Sequence, residues 1–353
     1  MERIGLDLHK RESQLAINAA DGTITDRRIA TSRERFTTVL GGRPRAKIQL
    51  EASTESEWVA RHLESLGHEA IVADPNFAPM YANRSRRTKT DKRDARTLLD
   101  ACETQAYRPA YRLSDARRHV AKRPQRAELA VRDALVRTRT RYIALAKALV
   151  RRDGLRVPTS ASAWVPARIA ELDLSPTLTT ELAPLFAVYA PLNDQIKAAD
   201  ARIAAVVASD PIVARLATAP GVGPVTASAF VATIDDITRF RSGHELEAYL
   251  GVVPSERSSG EKRQLGRITK AGNGRMRWLL VEAAWQILRS KSPTTAALRA
   301  WTLTIAQRRG KRIAVVALAR RLAGILYAMW RDGIAYDAHR IRPLVNPVCQ
   351  RAG

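Results

Sequence analysis

The chain has few cysteines, few aromatics and no long apolar run, and each shortage excludes a class of protein. Its two cysteines, Cys102 and Cys349, lie far apart in 353 residues. They imply no disulfide framework and fit a reducing cytoplasm. The six histidines make no ligand-spaced pair with one another or with a cysteine, so a structural zinc site is not expected. Aromatic residues are only 5% of the chain, which argues against base stacking as the main way of holding single strands. No stretch of 18 apolar residues occurs, and the opening MERIGLDLHK has no apolar signal-peptide core. The chain is therefore expected to be neither secreted nor membrane-spanning.

Acid is also scarce relative to base. There are 59 Lys+Arg against 35 Asp+Glu, a formal net charge of +24 and a pI near 11.0. An excess of this size points to a polyanionic partner, nucleic acid first. The charge is clustered. Residues 84–96, 128–152 and 256–277 each carry seven basic and two acidic side chains, and together hold 15 of the 24 excess charges. Three local footprints fit phosphate contacts better than general solubility.

The length allows two or three domains. RIGLDL (3–8) and SQLAIN (13–18) read as strands, and Asp21-Gly22 is a hairpin turn before a third strand over 23–30. A short helix over 31–40 closes at Gly41-Gly42. A buried strand KIQLE (47–51), a helix over 55–66, a strand over 69–73 and a turn at Asp74-Pro75 follow. ARTLLDA (95–101) then reads as another helix. Three hairpin-joined strands followed by alternating helices and strands is an α/β pattern, with the element order of an RNase H-like fold.

Four carboxylates stand out against this order. Asp7 ends the first strand, and Glu51 ends the fourth where a turn residue is the usual choice. Asp91 and Asp94 are three residues apart in RSRRTKTDKRDARTLLDA, on one face of the helix start. Acids embedded in positive charge suit metal ions held close to a phosphate backbone. Alone, Asp91 and Asp94 read equally well as salt-bridge partners on a solvated basic helix. Four acids brought to one sheet edge are much harder to explain that way.

From Ser114 to Arg152 there is no glycine, and Leu129, Leu135, Val136, Ile143, Ala146 and Leu149 recur at helical spacing. A long helix is expected from about Arg126, after an interruption at Pro124, with an arginine face at Arg132, Arg137, Arg139 and Arg141. It suits a coiled-coil dimerisation arm, a nucleic-acid ridge, or both. Residues 154–166 read as a linker or tip, and a second helix over about 185–208 returns antiparallel. Further on, Pro220-Gly221-Val222-Gly223-Pro224 lies between two helical segments. This has the form of a helix-hairpin-helix, whose glycines and helix amides can approach a DNA phosphate; an ordinary αα-hairpin has the same outline. The loop over 250–277 is glycine-rich and basic, poor material for a core. Ser258 and Ser259 sit in it between Arg257 and Lys262. A serine there is either a polar loop residue or a nucleophile toward a phosphodiester. Apolar helices over 277–288 and 311–330 complete the last unit.

Together GLDLHK, LEAS, KTDKRDARTLLDA, LATAPGVGPVTA and LGVVPSERSSGEKRQLGRITKAGNGRMRWLLVEAAW resemble the DEDD transposases of bacterial insertion sequences, related to the pilin-inverting recombinase. The resemblance covers nearly the whole chain. It implies a RuvC-like DEDD domain over 1–108, a helical dimerisation arm over 109–208, and a mainly helical transposase domain with a helix-hairpin-helix over 209–353. It implies that Asp7, Glu51, Asp91 and Asp94 hold one or two Mg²⁺ ions, with Mn²⁺ able to substitute. It also implies a serine nucleophile, Ser259 with Ser258 as the fallback, that forms a covalent phosphoserine–DNA intermediate. The expected partners are double-stranded donor and target DNA, a structured noncoding guide RNA, and further copies of the chain in a homodimer or homotetramer. The setting would be the bacterial cytoplasm, at the nucleoid. Arg87, Lys89, Lys92, Arg93, Arg137, Arg139, Arg141, Gly221, Gly223, Lys262, Arg267 and Lys270 are the expected nucleic-acid contacts. The alternative is a RuvC-like, metal-dependent, structure-selective endonuclease that uses water.

Overall fold

The computed structural model describes residues 1–81, 90–112, 122–256 and 265–340. The chain divides into two compact units, Met1–Ser114 and Asp115–Gly353.

The first unit holds β1 (Arg3–Leu8), β2 (Glu12–Asn18), β3 (Ile24–Ala30), α1 (Arg33–Leu40), β4 (Lys47–Glu51), α2 (Ser56–Ser65), β5 (Glu69–Ala73) and α3 (Asp91–Thr104). The strands form one sheet in the order β3-β2-β1-β4-β5. β2 is antiparallel to β1 and to β3, while β4 runs parallel to β1 and to β5.

Period-two alternation assigns the two faces. Ile4, Leu6, Leu15, Ile17, Ile48 and Leu50 share one core with Phe36, Val39 and Leu40 of α1 and Val59 and Leu63 of α2. The residues between them lie on the other face: Gly5 and Asp7 on β1, Ala16 on β2, Gln49 and Glu51 on β4. Ala16 packs there with Ala95 and Leu99 of α3. These positions are small or polar, which lets a helix come close and leaves room for carboxylates at the strand ends.

The second unit is helical: α4 (Lys122–Arg152), α5 (Val165–Ala170), α6 (Pro176–Ser209), α7 (Pro211–Leu216), α8 (Pro224–Ile234) and α9 (Gly243–Leu250). A two-stranded antiparallel pair, β6 (Pro254–Glu256) and β7 (Leu265–Ile268), precedes α10 (Gly274–Arg289), α11 (Ala296–Arg309) and α12 (Lys311–Asp332). α4 and α6 pack antiparallel. Arg132 meets Asp200 at 2.8 Å, Arg139 meets Asn193 at 2.9 Å and Arg152 meets Glu181 at 2.7 Å, so positions rise on one helix as they fall on the other. Their far end closes over Ala146, Val150, Val165, Ile169, Leu178 and Leu182.

Here the sequence reading needs correction. Pro124 does not interrupt α4, because it stands in the first turn, where a missing N–H leaves no intrahelical bond unmade. α6 begins at Pro176 and runs through Pro184 and Pro191, well before the expected start near Leu185. An interior proline costs roughly 3 kcal/mol. Each fully buried leucine or isoleucine side chain contributes about 1.5–3 kcal/mol, and Leu178, Leu182, Leu192, Ile196 and Ile203 are all buried, so packing wins. The stretch read as a tip over 154–166 already starts α5 at Val165.

α8 and α12 form the centre of this unit, with Phe230 and Trp330 ring centroids 6.3 Å apart. α8 is buried at every position from Thr226 to Ile234, which is why its sequence is apolar all round. α12 is long and apolar enough to cross a bilayer by length and composition. It is instead the core helix, burying Leu318, Leu322 and Leu326.

Candidate active site

The site lies on the α3 face of the first unit. β1 and β4 are neighbours in parallel, with Leu6 opposite Leu50, so the next residues, Asp7 and Glu51, lie side by side at the strand ends. α3 lies across this face. Thr90 caps it, the hydroxyl accepting from the Arg93 N–H at 3.3 Å, a contact worth about 1 kcal/mol. Asp91 is the first helical residue and Asp94 lies in the same turn, buried.

Acids in a first turn gain about 0.3–1 kcal/mol each from the helix dipole. The ligand atoms of Asp7, His9 and Asp91 lie within 4.8 Å of one another. Two carboxylates at such spacing repel by between about 1 and 4 kcal/mol, depending on how much water screens them. Repulsion therefore outweighs the dipole, and the cluster carries a net demand for positive charge.

Asp7 feels this most. Burial raises its carboxyl above the ordinary aspartate range, the nearby His9 pulls it down, and the charges of Asp94, Asp91 and Glu51 raise it again. Its Oδ2 is buried and accepts no hydrogen bond among the described residues, although His9 Nε2 is 3.2 Å away. The same nitrogen is 3.6 Å from Asp91 Oδ1. Glu51 is oriented by the Tyr81 hydroxyl, which donates to its Oε1 at 2.5 Å. A buried carboxylate oxygen with no donor, inside a set of oxygen ligands, fits a hard divalent cation.

His9 and Tyr81 were not among the expected site residues. His9 had a signal: it stands two residues after Asp7 in GLDLHK, the same parity along an extended chain. Tyr81 had none, because only the fold brings it to Glu51.

The expected nucleic-acid contacts divide into four groups. Arg87, Lys89, Lys262 and both candidate serines, Ser258 and Ser259, lie outside the described residues. The flanking strands β6 and β7 pair antiparallel on either side of the serine segment. Several others have internal partners: Lys92 pairs with Asp26 at 3.0 Å, Arg137 with Asp133 at 2.9 Å, and Arg139 with Asn193. Arg93, Arg141, Arg267 and Lys270 are exposed. Gly221 has φ of +73°, and a Cβ there would lie 2.6 Å from the Ala283 carbonyl oxygen of α10, whereas Gly223 faces open space. Close packing inside the protein thus already accounts for Gly221. Arg267 and Lys270 border a cleft of about 480 Å³ with an apolar floor that includes Val252, Ile268 and Ile313. Arg309 and Arg312 extend its rim.

A mixed five-stranded sheet with acids at the ends of two adjoining parallel strands, roofed by an acid-bearing helix, places the first unit in the RNase H-like class. Comparison with known proteins gives the family. Residues 4–151 match the IS110-type DEDD transposase family model, and residues 213–299 match the family model described as transposase IS116/IS110/IS902 family. A probable family 20 transposase of Pseudomonas aeruginosa is 32% identical over 93% of this chain and 96% of its own length. A putative transposase of Sinorhizobium fredii, y4pF/y4sB, is 31% identical over 95% of this chain and 85% of its own. The transposase for insertion sequence element IS1328 of Yersinia enterocolitica is 28% identical over 95% and 98%. The chain belongs to the IS110/IS116/IS902 family of DEDD insertion-sequence transposases. Such proteins cut and rejoin DNA, and the DEDD domain fits metal-dependent phosphoryl transfer.

Proposed function

We propose that this transposase recombines DNA through two chemical centres on one chain, an acidic metal site and a serine nucleophile, under the direction of a structured noncoding RNA. The observation that carries the first half is the convergence of Asp7 and Glu51, at the ends of β1 and β4, with Asp91 and buried Asp94 in the first turn of α3, where a buried Asp7 oxygen accepts no hydrogen bond among the described residues. Asp7, Glu51, Asp91 and Asp94 would hold one or two divalent ions, Mg²⁺ or Mn²⁺, which supply charge stabilisation at the scissile phosphate. Tyr81 holds Glu51 in place, and the Thr90 cap fixes where Asp91 and Asp94 begin.

Ser259 would supply the second half. Its hydroxyl oxygen attacks phosphorus and bonds to it, the bond to the departing strand's sugar oxygen breaks, and that oxygen leaves as a hydroxyl after taking a proton. The phosphodiester's energy is kept in the phosphoserine link, and a new strand's hydroxyl reverses the step without an external energy source. Ser258 is the fallback for this role.

The cleft bordered by Arg267 and Lys270 suits a nucleic-acid strand, because Arg309 and Arg312 add cations that pair with no acid among the described residues. Gly223 and the exposed start of α8 suit a helix-hairpin-helix contact to phosphate. Arg93 and Arg141 would contact backbone, as would Arg87, Lys89 and Lys262. The α4–α6 pair would serve as a dimerisation arm between a catalytic domain over 1–108 and a transposase domain over 209–353. The assembly would be a homodimer or homotetramer acting on donor and target DNA at the nucleoid. Few aromatics fit guide pairing, in which protein reads backbone shape and RNA reads sequence.

The test is to incubate the protein with labelled DNA, candidate RNA and Mg²⁺, denature, and map the labelled residue. A phosphoserine at position 259 is expected, abolished by Ser259→Ala. Cleavage that survives Ser259→Ala with no covalent adduct would favour the water-using endonuclease instead.

A further inference from the structure

We propose that His9 is a nitrogen ligand of the metal centre and biases it toward first-row transition ions such as Mn²⁺ over Mg²⁺. This rests on the reading of Asp7, Glu51, Asp91 and Asp94 as ion ligands. His9 is the first residue beyond β1, and its Nε2 lies between the two carboxylates, 3.2 Å from Asp7 Oδ2 and 3.6 Å from Asp91 Oδ1. The three ligand atoms lie within 4.8 Å of one another. Bonds from such donors to one ion are about 2.0–2.2 Å long, so atoms this near one another can close on one ion after a small shift.

The ring can make that shift, because the His9 side chain is 51% exposed. Its backbone is held: the Thr31 hydroxyl donates to the His9 carbonyl at 2.8 Å, and the Thr31 N–H donates to the Arg11 carbonyl at 2.9 Å. The turn after β1 is thereby tied to the end of β3, and the imidazole is kept over the acids. Other histidines have different work. His68 is buried, its Nδ1 accepting from the Ala46 N–H at 3.2 Å, and His62 lies against Thr37 and the Arg33 carbonyl. The side-chain contacts of His9 are instead with two carboxylates of the site.

The selectivity follows from ligand chemistry. Mg²⁺ and Mn²⁺ both take carboxylate, carbonyl and water oxygens, but only Mn²⁺ belongs to the first-row series whose affinity for nitrogen donors rises toward Cu²⁺. A site of four carboxylates alone favours Mg²⁺ at cellular abundance. Adding a nitrogen moves the preference toward a transition ion.

The experiment uses the full chain loaded with Mn²⁺ and pulsed electron paramagnetic resonance. Nitrogen modulation from a bound imidazole is expected in the wild type and not in His9→Ala, and the Mn²⁺-to-Mg²⁺ affinity ratio should fall in that variant. Bound Mn²⁺ without nitrogen modulation in the wild type would overturn the proposal and make His9 only a counter-ion to the acids. The wild-type spectrum decides this even where His9→Ala fails to fold. Asp7→Asn separates the two claims: Mn²⁺ affinity unchanged by it removes the carboxylate reading and the His9 assignment together. Affinity lost in Asp7→Asn, with no nitrogen signal in the wild type, removes His9 alone.

Discussion

Gly5 and Ala95 meet through their backbones: a Cβ on Gly5 would fall on the Ala95 carbonyl oxygen of α3 and within 3.0 Å of the Leu99 Cα. This contact sets the height of α3 above the sheet, and so the distance from Asp91 and Asp94 to Asp7 and Glu51. Gly5 and Asp7 share one strand face, so the packing point lies two residues from the proposed metal ligand.

Gly5→Ala should therefore damage both stability and activity. Overpacking a tight core costs typically 1–3 kcal/mol, and here the clash is with backbone, which cannot rotate away. We expect a lower denaturation midpoint, and recombination reduced by about tenfold or more, since a misplacement of reacting groups by about 1 Å can cost about a hundredfold in rate. Urea melts and a recombination assay on the same preparation check it. An unchanged midpoint would mean that α3 does not rest on β1 as described.

Asp7→Asn should separate stability from function. Burial, opposed by His9 and reinforced by Asp94, Asp91 and Glu51, raises the Asp7 carboxyl. An acid raised by folding costs no stability below its ordinary value of about 3.9, and stability falls as pH climbs from there through the raised folded value. With chelator present, Asp7→Asn should be more stable than the wild type at pH 7, and the gap should close toward pH 3. Recombination should be lost. Thermal melts across pH test the sign, and a variant less stable than the wild type in chelator at pH 7 would contradict it.

The arm arginines should divide by their partners. Arg139 reaches Asn193 across the helix pair, so Arg139→Ala should lower stability, while its loss changes the salt dependence of DNA binding little. Arg141 is exposed, so Arg141→Ala should leave the melting temperature near the wild-type value and reduce the salt slope of binding by about one. The reverse outcome would place the contact surface on the other side of α4.

The sheet was legible because RIGLDL, SQLAIN and KIQLE alternate, and because acids end two strands that turn out to be neighbours. The pattern could not say which residue faces α3. Gly5 looks like an ordinary strand residue until Ala95 is placed beside it. In the second unit, periodicity found α4 and α12, but proline misled at Pro124, which stands in a first turn, and α6 starts earlier than read because burial along it outweighs the cost of Pro184. His9 was passed over because the histidines were weighed against one another and against cysteine, and its partners are aspartates. Arg309 and Arg312 went unread because they open and close core helices, and only the fold sets them beside β7.

If Asp7, Glu51, Asp91 and Asp94 form one divalent-metal centre, as proposed, a bound ion should be visible between them. Crystals soaked in Mn²⁺ and measured at a wavelength where manganese scatters anomalously test it most directly. An anomalous peak bounded by these four carboxylates is expected, and its loss in Asp7→Asn. Mn²⁺ ordered elsewhere and none at this position, in protein that cleaves DNA when Mn²⁺ is supplied, would contradict it.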